Sequence, residues 1–129
     1  MSENTKIQHV ALNYQDKEKA NIFFTEILGL KLKKTFMLTP KLAKQIFGIK
    51  EDVLALSYEN ENTRFEVFIT EQLTKNRFEH TCIIINNKEE FIQRCKKHGI
   101  QPNLVEKDDK TYLFVRDFSN NLYEVKEKQ

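Results

Sequence analysis

The chain has 129 residues, enough for one domain, and its 31% charged, 40% hydrophobic and 11% aromatic residues describe a chain that folds around a core rather than a disordered one. Twenty-one basic residues against nineteen acidic ones leave a net charge of +2, with both signs interspersed, so the sequence carries no nucleic-acid footprint. No run approaches the ~20 apolar residues of a membrane span, and Met1-Ser2-Glu3-Asn4 lacks the basic start and apolar core of a secretion signal; the chain is read as cytoplasmic, without a membrane partner.

In chain order, residues 6–13 alternate as a strand and carry His9. Asp16-Lys17-Glu18 then opens a helix whose apolar positions Ala20, Phe23, Phe24, Ile27 and Leu28 fall at helical spacing, and Gly29 ends it. A strand is expected over residues 30–37. Residues 40–49 read as a short amphipathic helix, with proline at the start and Gly48 at the end, inserted between strands. Strands over 53–59 and 63–70 flank the turn Glu59-Asn60-Glu61-Asn62. Past Thr74 the order begins again. Residues 78–85 form a strand carrying His80, a helix follows behind Asn87-Lys88-Glu89-Glu90 with Phe91, Ile92 and Cys95 at helical spacing, and Gly99 stops it. Strands over 101–106, 110–116 and 121–126 complete the chain.

The two halves also close alike, on Phe65-Glu66-Val67 and Tyr123-Glu124-Val125, so the fold expected is α+β, two βαβββ modules in one domain over residues 1–129 (module one 6–73, module two 77–128). His9 and Glu66 are 57 residues apart and His80 and Glu124 are 44 apart; the inserted helix is where the surplus sits. If opening and closing strands are neighbours, period-2 alternation sets each His beside the Glu of its half, and pairing the halves brings the two pairs face to face. Two imidazoles and two carboxylates suit a first-row divalent ion with positions left open for water or substrate.

The other reactive residues have plainer expectations. His98, just before Gly99, belongs to a helix terminus. Cys82 and Cys95 lack Cys-x-x-Cys spacing and are expected to be reduced, buried core residues. Arg64, two residues from Glu66, is expected on the same side of its strand, as an anion anchor or a rim salt bridge. The short lysine runs at 31–34 and 96–97 read as solvated faces. Phe36, Met37, Phe47 and Phe68 read as core or interface, and the inserted helix as a possible lid.

Taken in order, His9-Val10-Ala11-Leu12-Asn13, the run 20–32, Phe65-Glu66-Val67, Glu79-His80-Thr81 and the run 114–124 resemble the vicinal oxygen chelate superfamily, which contains glyoxalase I, methylmalonyl-CoA epimerase, extradiol dioxygenases, and the fosfomycin and bleomycin resistance proteins. The run 114–124 is similar to the family's Phe-x-Asp-Pro-Asp-Gly-Asn-x-x-Glu signature, with Phe118 for the usual proline and Asn120 for the usual glycine.

The resemblance implies an eight-stranded cup around a divalent metal (Zn, Ni, Co, Mn or Fe) held by His9, Glu66, His80 and Glu124. It implies a glyoxalase I-like lyase or isomerase acting on a small molecule by proton abstraction next to a carbonyl, with Glu124 as the base and Glu66 as ligand and second acid/base. Arg64 would bind substrate, and a homodimer is expected. Glu66 favours glyoxalase I over the epimerases, which carry Gln there, whereas Asn13 stands where bacterial glyoxalase I has a glutathione-binding Arg. The alternatives are a metal-free binding protein of the bleomycin-resistance type and a metal-dependent thiol transferase or dioxygenase.

Overall fold

The computed structural model describes residues 7–71 and 78–129; the boundary expected near Thr74 and the start of the first strand at Lys6 lie outside these residues. The elements follow in the order β1 (Val10–Tyr14), α1 (Lys17–Asn21) continued by a π-helical segment (Ile22–Ile27), β2 (Lys31–Leu38), α2 (Pro40–Phe47), β3 (Val53–Glu59), β4 (Arg64–Ile69), β5 (Thr81–Ile85), α3 (Lys88–Lys97), β6 (Asn103–Lys107), β7 (Lys110–Arg116) and β8 (Leu122–Glu127). They build two four-stranded mixed sheets of matching topology, β1-β4-β3-β2 and β5-β8-β7-β6, each with a parallel opening–closing pair and antiparallel hairpins. The βαβββ repeat and the α+β class expected from the sequence are the observed ones.

Local chemistry sets the element ends. Asp16 caps α1 by accepting from the backbone N–H groups of Glu18 and Lys19, Thr39 caps α2 through Leu42, and Asn87 caps α3 through Glu90. Gly29, Gly48 and Gly99 sit at positive φ where the helical segments stop. The β6–β7 hairpin turns on Asp108 (φ 54°) and Asp109 (φ 61°), and Asn120 takes φ 71° in the loop before β8. Two expectations need adjustment. β1 and β5 begin at Val10 and Thr81, so His9 and His80 stand immediately before their strands rather than within them. The first helix is also not α-helical throughout: the Thr25 hydroxyl donates to the Asn21 carbonyl at 2.5 Å, and the chain widens to a π turn in which the Leu28 N–H reaches the Phe23 carbonyl at 2.9 Å.

One core joins the modules. Phe24 stacks on Tyr58 of the first sheet (centroids 5.0 Å apart), while its neighbour Phe23 lies against Tyr123 of the second (5.1 Å). Each of these rings is fully buried, and burial of a side chain of this size contributes about 1.5–3 kcal/mol. A buried polar knot ties β1 to the loop before β8. The Asp117 carboxylate accepts from the backbone N–H groups of Ser119 and Asn121, the Asn121 side-chain amide and the Tyr123 hydroxyl, while Asn121 also donates to the Asn13 carbonyl. Burial pushes the Asp117 carboxyl above its ordinary value despite these donors, and burial likewise raises the Tyr14 and Tyr123 phenols.

The face of the first sheet opposite this core is partly roofed by α2, where Leu38, Ala43 and Val53 form a second cluster with Phe36 and Phe68. Met37, expected in the core or at an interface, is 56% exposed, and Phe47 is 48% exposed. No helix of the described residues is long and apolar enough to cross a membrane.

Candidate metal centre

β1 runs parallel to β4 with Ala11 opposite Glu66, and β5 runs parallel to β8 with Cys82 opposite Glu124. Phe65 and Val67 turn into the core, as do Tyr123 and Val125, so alternation sends Glu66 and Glu124 to the opposite, open faces. In each module the histidine ahead of the opening strand leans onto that glutamate. His9 Nδ1 lies 3.4 Å from Glu66 Oε2, and His80 Nε2 lies 3.6 Å from Glu124 Oε1. The carboxylates are the more sheltered partners, 21% and 19% exposed against 36% and 40% for the imidazoles.

The His80 ring is oriented from behind. Its Nδ1 lies 2.8 Å from the Phe78 carbonyl oxygen, a separation that requires an N–H on this nitrogen. In the neutral ring Nε2 then carries the lone pair, and it is Nε2 that faces Glu124. A lone pair opposed to a carboxylate is two acceptors facing each other, which a cation between them reconciles. An imidazole fixed through its far nitrogen by a carbonyl is also the usual way a metal-binding histidine is held. The donor set therefore fits a divalent ion. The Lys126 ammonium sits 3.9 Å from the other Glu124 oxygen, Oε2.

The two pairs do not meet within the chain. Among the described residues no three His, Cys, Asp or Glu side chains gather as a metal-holding group. The expected face-to-face approach of the halves is thus present only as two separate pairs. The shared core explains this: the modules are joined on their helical sides, where Phe23 meets Tyr123 and Arg94 Nε donates to the Ile27 carbonyl at 3.1 Å, so the faces bearing the pairs look away from the junction.

Arg64 lines a cavity of about 210 Å³ together with Glu66, Ser57, Lys33 and Lys34, and so faces the same side as Glu66, while its Nε donates to Glu59 Oε2 at 2.8 Å as a rim salt bridge. Sequence reading missed Ser57 and the two lysines as neighbours of Glu66. Hairpin register was the signal that finds them, since Ser57 pairs with Glu66 and Lys34 with Ser57. His98 closes α3, its N–H bonded to the Arg94 and Cys95 carbonyls, as expected of a helix terminus. One expectation is corrected: Cys82 is exposed, not buried, because it alternates onto the open face with Ile84, whereas Cys95 is buried as expected.

With this geometry in hand, comparison with known proteins gives the class. The family model of the Glyoxalase/Bleomycin resistance protein/Dioxygenase superfamily matches residues 6–125, and the chain belongs to that superfamily. Curated proteins give no match. Solved structures share the fold. A glyoxalase family protein from Enterococcus faecalis superposes with a TM-score of 0.72 at 20% identity, covering 95% of this chain and 97% of that one. The fosfomycin resistance protein FosX from Listeria monocytogenes, as a mutant complexed with Mn(II) and 1S,2S-dihydroxypropylphosphonic acid, gives 0.75 at 15% identity, covering 98% and 95%. A glyoxalase family protein from Bacillus cereus gives 0.73 at 16%, covering 98% of each chain.

Proposed function

We propose that the chain is a cytoplasmic, homodimeric, metal-dependent enzyme of glyoxalase type, a lyase or isomerase that moves a proton next to a substrate carbonyl. Its metal centre would combine His9 and Glu66 of one copy with His80 and Glu124 of a second. The observation that carries this reading is the recurrence, on the open face of each sheet, of a His–Glu pair with nearly the same separation, 3.4 Å in one module and 3.6 Å in the other. Each pair supplies one nitrogen and one oxygen donor, so two are needed for a four-ligand site. Apolar side chains on the open face of the second sheet and on α2 also stay in water, Ile84 at 69% exposure and Ile46 at 61%, which assembly would cover. A complex of FosX with Mn(II) supports a divalent ion in proteins of this fold.

When bound, the ion supplies Lewis-acid polarisation of a carbonyl. The chain's own residues do the rest. Glu124 takes and returns the proton, Glu66 holds its oxygen as a ligand and serves as second acid/base, and the Phe78 carbonyl keeps His80 Nε2 aimed at the site. Arg64, with Lys33 and Lys34 beside it, holds an anionic group of the small-molecule substrate against the Glu66 end. The basic residues there also favour a second reading, in which the substrate is a phosphonate of the kind seen in the FosX complex.

Metal content and turnover of Glu124→Gln and Glu66→Gln, measured together, test the assignment. Glu124→Gln keeps an oxygen ligand and loses the base, so metal stays while turnover on α-hydroxycarbonyl, dicarbonyl or thioester substrates falls ~10²- to 10⁴-fold. Glu66→Gln is milder. Equal turnover of Glu124→Gln and wild type removes the proposed base, and turnover confined to phosphonates selects the second reading.

A further inference from the structure

On the same face as His9 and Glu66, the next residues along β1 and β4 open into a larger cavity of about 480 Å³ beneath the end of α2, a volume in the range of small-molecule sites. Its walls are apolar. Phe47 and Phe68 meet edge to face at 5.2 Å and present a continuous aromatic surface, and Ile49 and Val53 extend it. Its floor makes little polar demand on a ligand, because the Thr70 hydroxyl there donates to the Asn13 side chain. Among the described residues its charged lining is acidic: Glu51 from the segment after α2 and Glu71 from just beyond β4. Among the described lining residues there is no lysine, arginine or histidine, in contrast to the basic surroundings of Arg64 at the other end of the face.

We propose that this cavity is a binding site for a small organic cation, an aromatic or branched-alkyl amine or quaternary ammonium. The apolar body would lie on Phe47, Phe68 and Ile49, and the positive charge would face Glu51 and Glu71. Aromatic faces attract cations through the ring quadrupole, and two carboxylates at the rim add Coulomb attraction that an anionic ligand of the same shape would meet as repulsion. None of this uses the metal ligands. The cavity shares its face with His9 and Glu66 and so adjoins the centre proposed above, but binding of a cation to metal-free protein is read without that reaction.

The test uses full-length protein treated with a chelator, so that binding is read without metal. Titration calorimetry with benzyltrimethylammonium is compared with 3-phenylpropionate, an anion of similar size. The cation is expected to bind with saturation and the anion not to bind. Glu51→Gln with Glu71→Gln is expected to weaken the cation about tenfold, since each partly solvated pair is worth a modest amount. Ile49→Lys, a change at a position 39% exposed, with an unchanged fold checked by circular dichroism, is expected to abolish binding. Equal binding of the two probes, binding of neither, or unchanged cation binding in Ile49→Lys overturns the proposal.

Discussion

The histidines and glutamates act through where single side chains point. Alternation along β4 and β8 sends the glutamates to the open faces while their neighbours fill the core, and each histidine reaches its glutamate from just outside the strand. His80→Ala is expected to release the metal and His98→Ala to retain it, by elemental analysis, because His98 is spent on closing α3. The cysteines separate as clearly. Burial pushes the Cys95 thiol up to about 11, while Cys82 is exposed on the face of Glu124. The dissociated chain should therefore show one thiol reacting with an aromatic disulfide reagent, and Cys82→Ser should show none. Two fast thiols in the wild type would mean that the helical side of the second module opens readily.

At the scale of elements, most of the architecture was legible in the sequence because each module repeats the same signals: an alternating strand, a helix ended by glycine, Asx-rich turns and an aromatic-Glu-Val close. The strand starts at Val10 and Thr81 were not legible, since alternation continues through His9 and His80 whether or not a neighbour pairs with them. Nor was the π segment, because the positions of Ala20, Phe23, Phe24 and Ile27 suit either helix, and the hydroxyl of Thr25 decides between them. The β6–β7 hairpin carries its own test. Asp109 at φ 61° is in the left-handed region, so Asp109→Val should cost about 1–2 kcal/mol in urea unfolding and Asp109→Gly should not. A harmless valine there would mean that the turn relaxes to another type.

At the scale of the whole molecule, the junction between modules controls both stability and the site. Asp117 lies at its centre, and burial holds its carboxyl above the ordinary 3.8. Relative to the unfolded chain, folding thus favours the protonated form. As pH rises past 3.8 the unfolded chain ionises first, and stability is lost until the folded carboxyl has ionised too. Asp117→Asn, with one acceptor oxygen among four donors, should be less stable throughout, but its deficit against wild type should narrow as pH rises through that window. A constant deficit would show that Asp117 titrates alike in the folded and unfolded chain. The approach of the two His–Glu pairs was not legible from strand patterns, because the core between the helices, built on Phe23, Phe24 and Tyr123, sets how the sheets face. It turns both open faces outward, and light scattering should show a dimer at micromolar concentration.

Mixing two metal-deficient variants tests the shared centre directly. His9→Ala and His80→Ala each damage both sites of a dimer built from complementary modules, so each alone should lose the metal. In a mixed dimer the two lesions fall in the same site and leave the other site whole. After random subunit exchange the mixture should therefore hold about a quarter of the wild-type metal, measured by elemental analysis of the desalted protein. A mixture holding no more metal than either variant alone, or single variants that keep the full wild-type content, would contradict a centre assembled from His9 and Glu66 of one copy and His80 and Glu124 of the other.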